Sequence, residues 1–229
     1  MNKKIIIALG LIALTGITYT SINYFSKSND DESLSNNTTN LKYTENKNII
    51  INQVSDLDMI YDNSNTSELE ERSDLIIIGK IKKIDGAINY NAAKKQYIMT
   101  STIGTIKIKN IIKGNNIVSK NDEINFARLG GTISIAEYEK SLEPRQIVRQ
   151  GLDKLTEEEK GNSYIKVSIS EDIEPQESKD YLIYLKYDAD LDRYAIIGME
   201  YGLKEYNENK KLVKNNSTNK WEAIKYEIK

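Results

Sequence analysis

The segment Asp188-Ala189-Asp190-Leu191-Asp192 sets three carboxylates at alternate positions. That spacing brings the first, third and fifth side chains of a calcium loop onto one hard cation. The rest of the pattern is missing. Arg193 stands where the sharp-turn glycine belongs, Met199 where the bidentate glutamate is needed, and strand-like stretches flank the segment in place of helices. A polar hairpin turn, where aspartate bonds to its own following backbone, explains the segment better. No metal is assigned.

A second candidate is Ala127-Arg128-Leu129-Gly130-Gly131-Thr132. Paired glycines closing a strand can turn their amides toward an anion beside Arg128, and a phosphate, a carboxylate or a wall polymer would suit such a nest. They also let a strand turn sharply into its next element, which is their commoner use. Arg128, Gly130 and Gly131 are therefore the candidate ligand-binding residues, with both explanations open. The 15 tyrosines against 2 phenylalanines offer a further surface. Rings such as Tyr184, Tyr194 and Tyr201 could stack on a sugar or a partner protein, although tyrosine at a sheet rim with its hydroxyl in water is the more ordinary situation.

Other chemistries are removed by composition. The chain has no cysteine and no histidine, which excludes disulfides, thiolate nucleophiles, the usual zinc ligands and every Ser-His or Cys-His mechanism. An enzyme built from this chain would have to work with Glu and Asp, as in carboxylate-based glycan or peptide hydrolysis. No cofactor is expected. The formal net charge is -2, and setting aside residues 1–47, with five lysines and four acids, leaves 27 basic against 30 acidic residues. With only five arginines and no basic stripe interleaved with aromatics, nucleic acid is not expected as a partner.

The elements that position these residues read mainly as strands. Short β-branched or tyrosine-rich runs fall at 49–51, 74–84, 103–114, 123–129, 164–170, 181–187, 193–199 and 221–228. Ile106, Ile108 and Ile112 alternate with lysines, and Ile165, Val167 and Ile169 alternate with Lys166, Ser168 and Ser170, so these strands have one wet face. Helices are few. A Ser67–Glu70 capping box opens a short helix that stops near Ser73, and residues 132–162 form a helical insertion with Pro144 in a first turn and a second capping box at Thr156–Glu159. The expected fold is mainly β, an antiparallel OB-like barrel or sandwich with a short N-terminal helix and that insertion. An insertion so much longer than an ordinary connection either carries specificity or covers one end of the barrel.

The N-terminus reads as an export segment. Lys3 and Lys4 precede an uncharged run from Ile5 to Leu14, and weaker apolar character continues to Phe25. Leu11 to Gly16 matches the end of a lipoprotein signal, but Ile17 occupies the place of the acyl-accepting cysteine. Without a thiol there is no lipid anchor. Residues 1–25 are expected to be an uncleaved single-pass anchor or a cleaved signal; the lack of a good small-x-small cleavage site favours the anchor. The lysines place the domain on the extracellular side. Residues 26–48, polar and almost free of large apolar groups, form a flexible stalk with an end-to-end distance of about 25 Å. The domain proper spans 49–229.

The run from the short helix into Ser73-Asp74-Leu75-Ile76-Ile77-Ile78-Gly79, followed by IKIKNIIKG, EINFARLGG and the late YLIYL and YAIIG stretches, resembles a loose set of exported Gram-positive bacterial proteins with a β-rich domain. In strand layout it is more distantly similar to the OB-type barrel of netrin-like and metalloproteinase-inhibitor domains. The resemblance implies the layout. It does not imply inhibition, which in those domains depends on an N-terminal cysteine and disulfide-tied loops. Taken together, the sequence points to a membrane-tethered extracytoplasmic binding or assembly module, non-catalytic, with an envelope protein or glycan as partner. A carboxylate-based hydrolase and a structural envelope accessory subunit are the alternatives.

Overall fold

A computed structural model describes residues 50–55 and 61–227. The expected anchor, the stalk and Ile49 lie outside the described residues. No helix among the described residues is long and apolar enough to cross a membrane.

The chain begins with β1 (Ile50–Ser55) and a short helix α1 (Thr66–Arg72), then enters a long ribbon of β2 (Leu75–Asn91) and β3 (Gln96–Lys113). β4 (Glu123–Leu129) and β5 (Gly131–Ser134) lead into α2 (Ile135–Glu139), α3 (Pro144–Arg149) and α4 (Glu157–Asn162). β6 (Tyr164–Ile169), β7 (Asp180–Asp188), β8 (Arg193–Ile196) and the single turn α5 (Met199–Gly202) follow. β9 (Leu203–Asn207), β10 (Leu212–Lys214) and β11 (Trp221–Ala223) complete the described fold.

Five strands close on themselves in the order β7-β2-β3-β4-β8, because β8 pairs with both β4 and β7. The β4–β8 pair is parallel and the other pairs are antiparallel. This is the OB-like barrel expected from the sequence, closed by one parallel pair that strand patterns do not reveal. Its interior is filled by Leu75, Ile77, Ile81, Ile106, Ile108, Phe126, Ile183 and Leu185, all fully buried. There is no lumen to hold a ligand at this barrel size.

The unbroken Ile76-Ile77-Ile78 run has a direct cause. β2 and β7 are covered on their outer faces too, where Ile76, Ile78, Leu182 and Tyr184 pack under Leu69 of α1 and against Tyr206 and Val213. A strand buried on both faces loses the polar alternation seen in β3. Helix α1 is capped by Asn65, whose side chain accepts from the Ser67 and Glu68 amides, so the cap sits two residues before the expected Ser67. Thr156 and Glu159 form the expected capping box of α4, and Pro144 opens α3.

The insertion is not wholly helical. It opens with β5, which pairs antiparallel with β6, and β6 in turn pairs in parallel with β1. Thr132-Ile133-Ser134 is extended rather than helical, and Ile133 enters a second core with Ile51, Ile135, Tyr138, Leu152, Ile165 and Val167. A three-stranded sheet covered by short helices thus stands beside the barrel.

Candidate functional site

The chain crosses from the barrel to the small sheet at Gly130 and Gly131, with φ of +87° and +136°. A Cβ on Gly130 would lie 2.9 Å from the Val167 carbonyl oxygen, and one on Gly131 would lie 2.6 Å from Thr102 Oγ1. Glycine is needed here by backbone conformation and by close passage alike. The Gly130 amide donates to the Thr100 carbonyl (2.8 Å), and its own carbonyl accepts from the Thr102 amide (2.7 Å) and Thr102 Oγ1 (2.9 Å). Since the Gly130 amide is engaged, the two glycines do not present the paired free donors of an anion nest. They form one wall of a cleft.

Arg128 lies beneath that wall with its side chain only 2% exposed. Nη2 makes an ion pair with Asp172 and donates to the Met199 carbonyl (3.0 Å), while Nε donates to the Ile173 carbonyl (3.0 Å). Burial pulls the guanidinium pKa down, with Asp172 opposing the shift. Arg128 therefore ties β4 to the 172–173 segment and to α5. Nη1 is buried without a hydrogen-bond partner among the described residues.

The cleft has a volume of about 440 Å³. Its walls are the glycine crossing, the end of β6, the 172–176 segment, and one face of β7, β9 and β10. Three carboxylates line it, and each already has a cation: Asp172 with Arg128, Glu174 with Lys166 at 2.8 Å, and Glu205 with Lys179 at 3.3 Å. Tyr181 stands at the back, 3% exposed, its hydroxyl accepting from the Gln176 amide at 3.2 Å. Burial pushes that phenol up to about 12. Asp172, Tyr181 and Lys214 were not singled out in the sequence. They come from a loop and two strands far apart in the chain, and no local spacing joins them.

The three aspartates of the other candidate do separate work. Asp188 Oδ1 accepts from the Asp190 amide (2.9 Å) and the Leu191 amide (3.2 Å), Asp192 accepts from the Tyr187 hydroxyl (2.6 Å), and Asp190 pairs with Lys94. They shape the β7–β8 hairpin turn. The named tyrosines are likewise spread out. Tyr184 is buried with its hydroxyl 2.8 Å from that of Tyr226, Tyr194 meets the ring edge of Tyr187 at 5.3 Å, and Tyr201 lies under Lys204. The more exposed pair is Tyr90 and Tyr97, with ring centroids 5.1 Å apart near the tip of the β2–β3 ribbon.

Compared with known proteins, the chain matches no protein-family model and no curated protein sequence.

Proposed function

We propose that the protein is a membrane-tethered extracytoplasmic binding module, non-catalytic, whose ligand enters the cleft between the barrel and the small sheet. One observation carries this reading: the cleft is polar and walled, and its three carboxylates are each held by a cation. Hydrolysis by a carboxylate pair needs two acids in one cleft with separated proton affinities, one of them free to donate. Carboxylates fixed in ion pairs position and recognise better than they transfer protons. The tether is argued from Lys3 and Lys4, the Ile5–Leu14 run and the polar residues 26–48. The charge balance turns the choice of partner toward an envelope protein or glycan and away from nucleic acid.

A structural accessory role is the second reading, favoured by the exposed Tyr90–Tyr97 pair. One experiment separates the two. A photoreactive amino acid placed at Gln176 on the cleft, at Tyr97 on the ribbon, or at Lys210 on the β9–β10 turn of the full chain is activated in intact cells. Adducts from Gln176 alone are expected. Adducts from Tyr97 alone would transfer the function to the ribbon tip, and equal adducts from all three positions would refute a specific site. Protease shaving of intact cells should remove the domain; full protection would refute the extracytoplasmic placement.

A further inference from the structure

We infer that the cleft recognises a carboxylate, carried by a small organic acid or by the free C-terminus of a peptide, through the Lys214 ammonium and the Tyr181 hydroxyl. This rests on the cleft being the ligand site. Tyr181 of β7 opposes Glu205 of β9, and Val213 of β10 opposes Tyr206 of β9, so one further step of the antiparallel ladder sets Lys214 beside Glu205. Tyr181, Glu205 and Lys214 form a cross-strand row, and all three line the cleft. With neighbouring strands about 4.8 Å apart, the row is about 10 Å long. A ligand of a few heavy atoms bridges that distance.

Charge then selects the ligand. Asp172, Glu174 and Glu205 are matched one to one by Arg128, Lys166 and Lys179. Lys214 is a fourth cation and makes no ion pair among the described residues. Of the two lysines in the lining, Lys214 is thus the one outside an ion pair, beside three carboxylates that each hold a cation. A monoanion balances it. A dianion such as phosphate would bring a second charge against those carboxylates, and a cationic ligand would meet Lys214.

Hydrogen bonding points the same way. The Tyr181 hydroxyl accepts from the Gln176 amide, and its own proton has no acceptor among the described residues. Because burial raises that phenol to about 12, the proton stays on oxygen at neutral pH and remains a donor. A site with unused donors and a lysine outside any ion pair is complementary to a group that only accepts, which an ionised carboxylate is. The volume of about 440 Å³ falls in the range of about 300–1,000 Å³ usual for small-molecule sites, leaving room for the rest of the molecule beside Ser168 and Gln176.

The test is titration calorimetry on the full chain with four probes: N-acetylglycine, its neutral amide, trialanine with a free C-terminus, and amidated trialanine. Each acid should bind saturably, and its amide should bind about tenfold or more weakly. Lys214→Gln should weaken the acids about tenfold, and Tyr181→Phe several-fold, without changing the amides. Comparable affinity for the two acids identifies a small organic acid as sufficient, and clear preference for trialanine identifies a peptide terminus. Both outcomes support the inference. Equal binding of acid and amide, no saturable binding of either acid, stronger competition by inorganic phosphate, or indifference to Lys214→Gln would each overturn it. If Tyr181→Phe does not fold, Lys214→Gln decides alone, since that side chain lies at the cleft surface. Photoadducts at Gln176 that persist in Lys214→Gln would remove the carboxylate and keep the cleft. Their absence in the unaltered protein, together with no saturable binding of either acid, would remove the cleft reading itself.

Discussion

Replacing Asp172 with alanine should be among the most damaging single changes in the protein. Its carboxylate is the counterion of Arg128, and the side chains of the pair are 7% and 2% exposed. Without Asp172 the guanidinium keeps only neutral carbonyls as hydrogen-bond partners, Ile173 and Met199, each at 3.0 Å, and the Glu200 charge acts on it only from beyond hydrogen-bond reach. Carbonyls satisfy hydrogen bonds but do not cancel a buried charge, and breaking a buried pair from one side costs about 3–5 kcal/mol. With a urea m-value of about 2 kcal/mol/M, that corresponds to a fall of about 1.5–2.5 M in the midpoint. The double variant Arg128→Met/Asp172→Ala removes the charge together with its counterion and should recover most of the loss. Urea unfolding followed by tryptophan fluorescence and by circular dichroism gives both numbers. A loss under about 1 kcal/mol for Asp172→Ala is what an exposed ion pair would give and would refute the argument. So would a double variant no more stable than the single one.

Two further outcomes follow from the packing around α1. Burial works to raise the Glu70 pKa, but its bonds to Lys225 and Tyr226 outweigh that and hold it below the ordinary 4.5, so its contribution is full above that pH and is lost as pH falls through the lower folded value. Glu70→Gln should therefore lose stability less steeply on going from about pH 5 to about pH 3, with equal slopes in urea midpoints counting against the assignment. A chain beginning at Ser73 lacks β1 and α1, and with them Ile51 (3% exposed) and Leu69 (1%), each side chain worth about 1.5–3 kcal/mol when buried. A large fall in its urea midpoint is expected, and an unchanged midpoint would show that the segment adds nothing to either core.

The strands of the barrel and of the small sheet that were legible owe it to a local rule. Ile106 and Ile108 alternate with lysine, and Ile165, Val167 and Ile169 alternate with polar partners, since one face of each strand meets a core. Three strands were missed for the opposite reason. β5 is Gly-Thr-Ile-Ser, β9 is Leu-Lys-Glu-Tyr-Asn and β10 is Leu-Val-Lys, each too short or too polar for a period to stand out, and each defined by its pairing with a neighbouring strand. The β2–β3 ribbon was read too short because its outer half offers no run of buried apolar residues: Asn89, Asn91, Thr100 and Ser101 are buried there, while Tyr90 and Tyr97 are exposed. For the site, the glycine pair marked the right place by its backbone. Tyr181 and Lys214 join it only through a ladder across β7, β9 and β10, which no spacing along the chain records.

The parallel pairing of β1 with β6 also sets a timetable. Ile50 finds its register opposite Tyr164, a residue translated more than a hundred positions later. At about 5–20 residues per second, β1 emerges about 5–20 s before its partner exists. During that interval Ile51, which ends 3% exposed, has no sheet to join, and the strand is an open edge able to pair with any extended chain it meets. The first of the described strands to be made thus waits for the sixth. Until β6 arrives, protection of β1 falls to whatever binds the nascent chain.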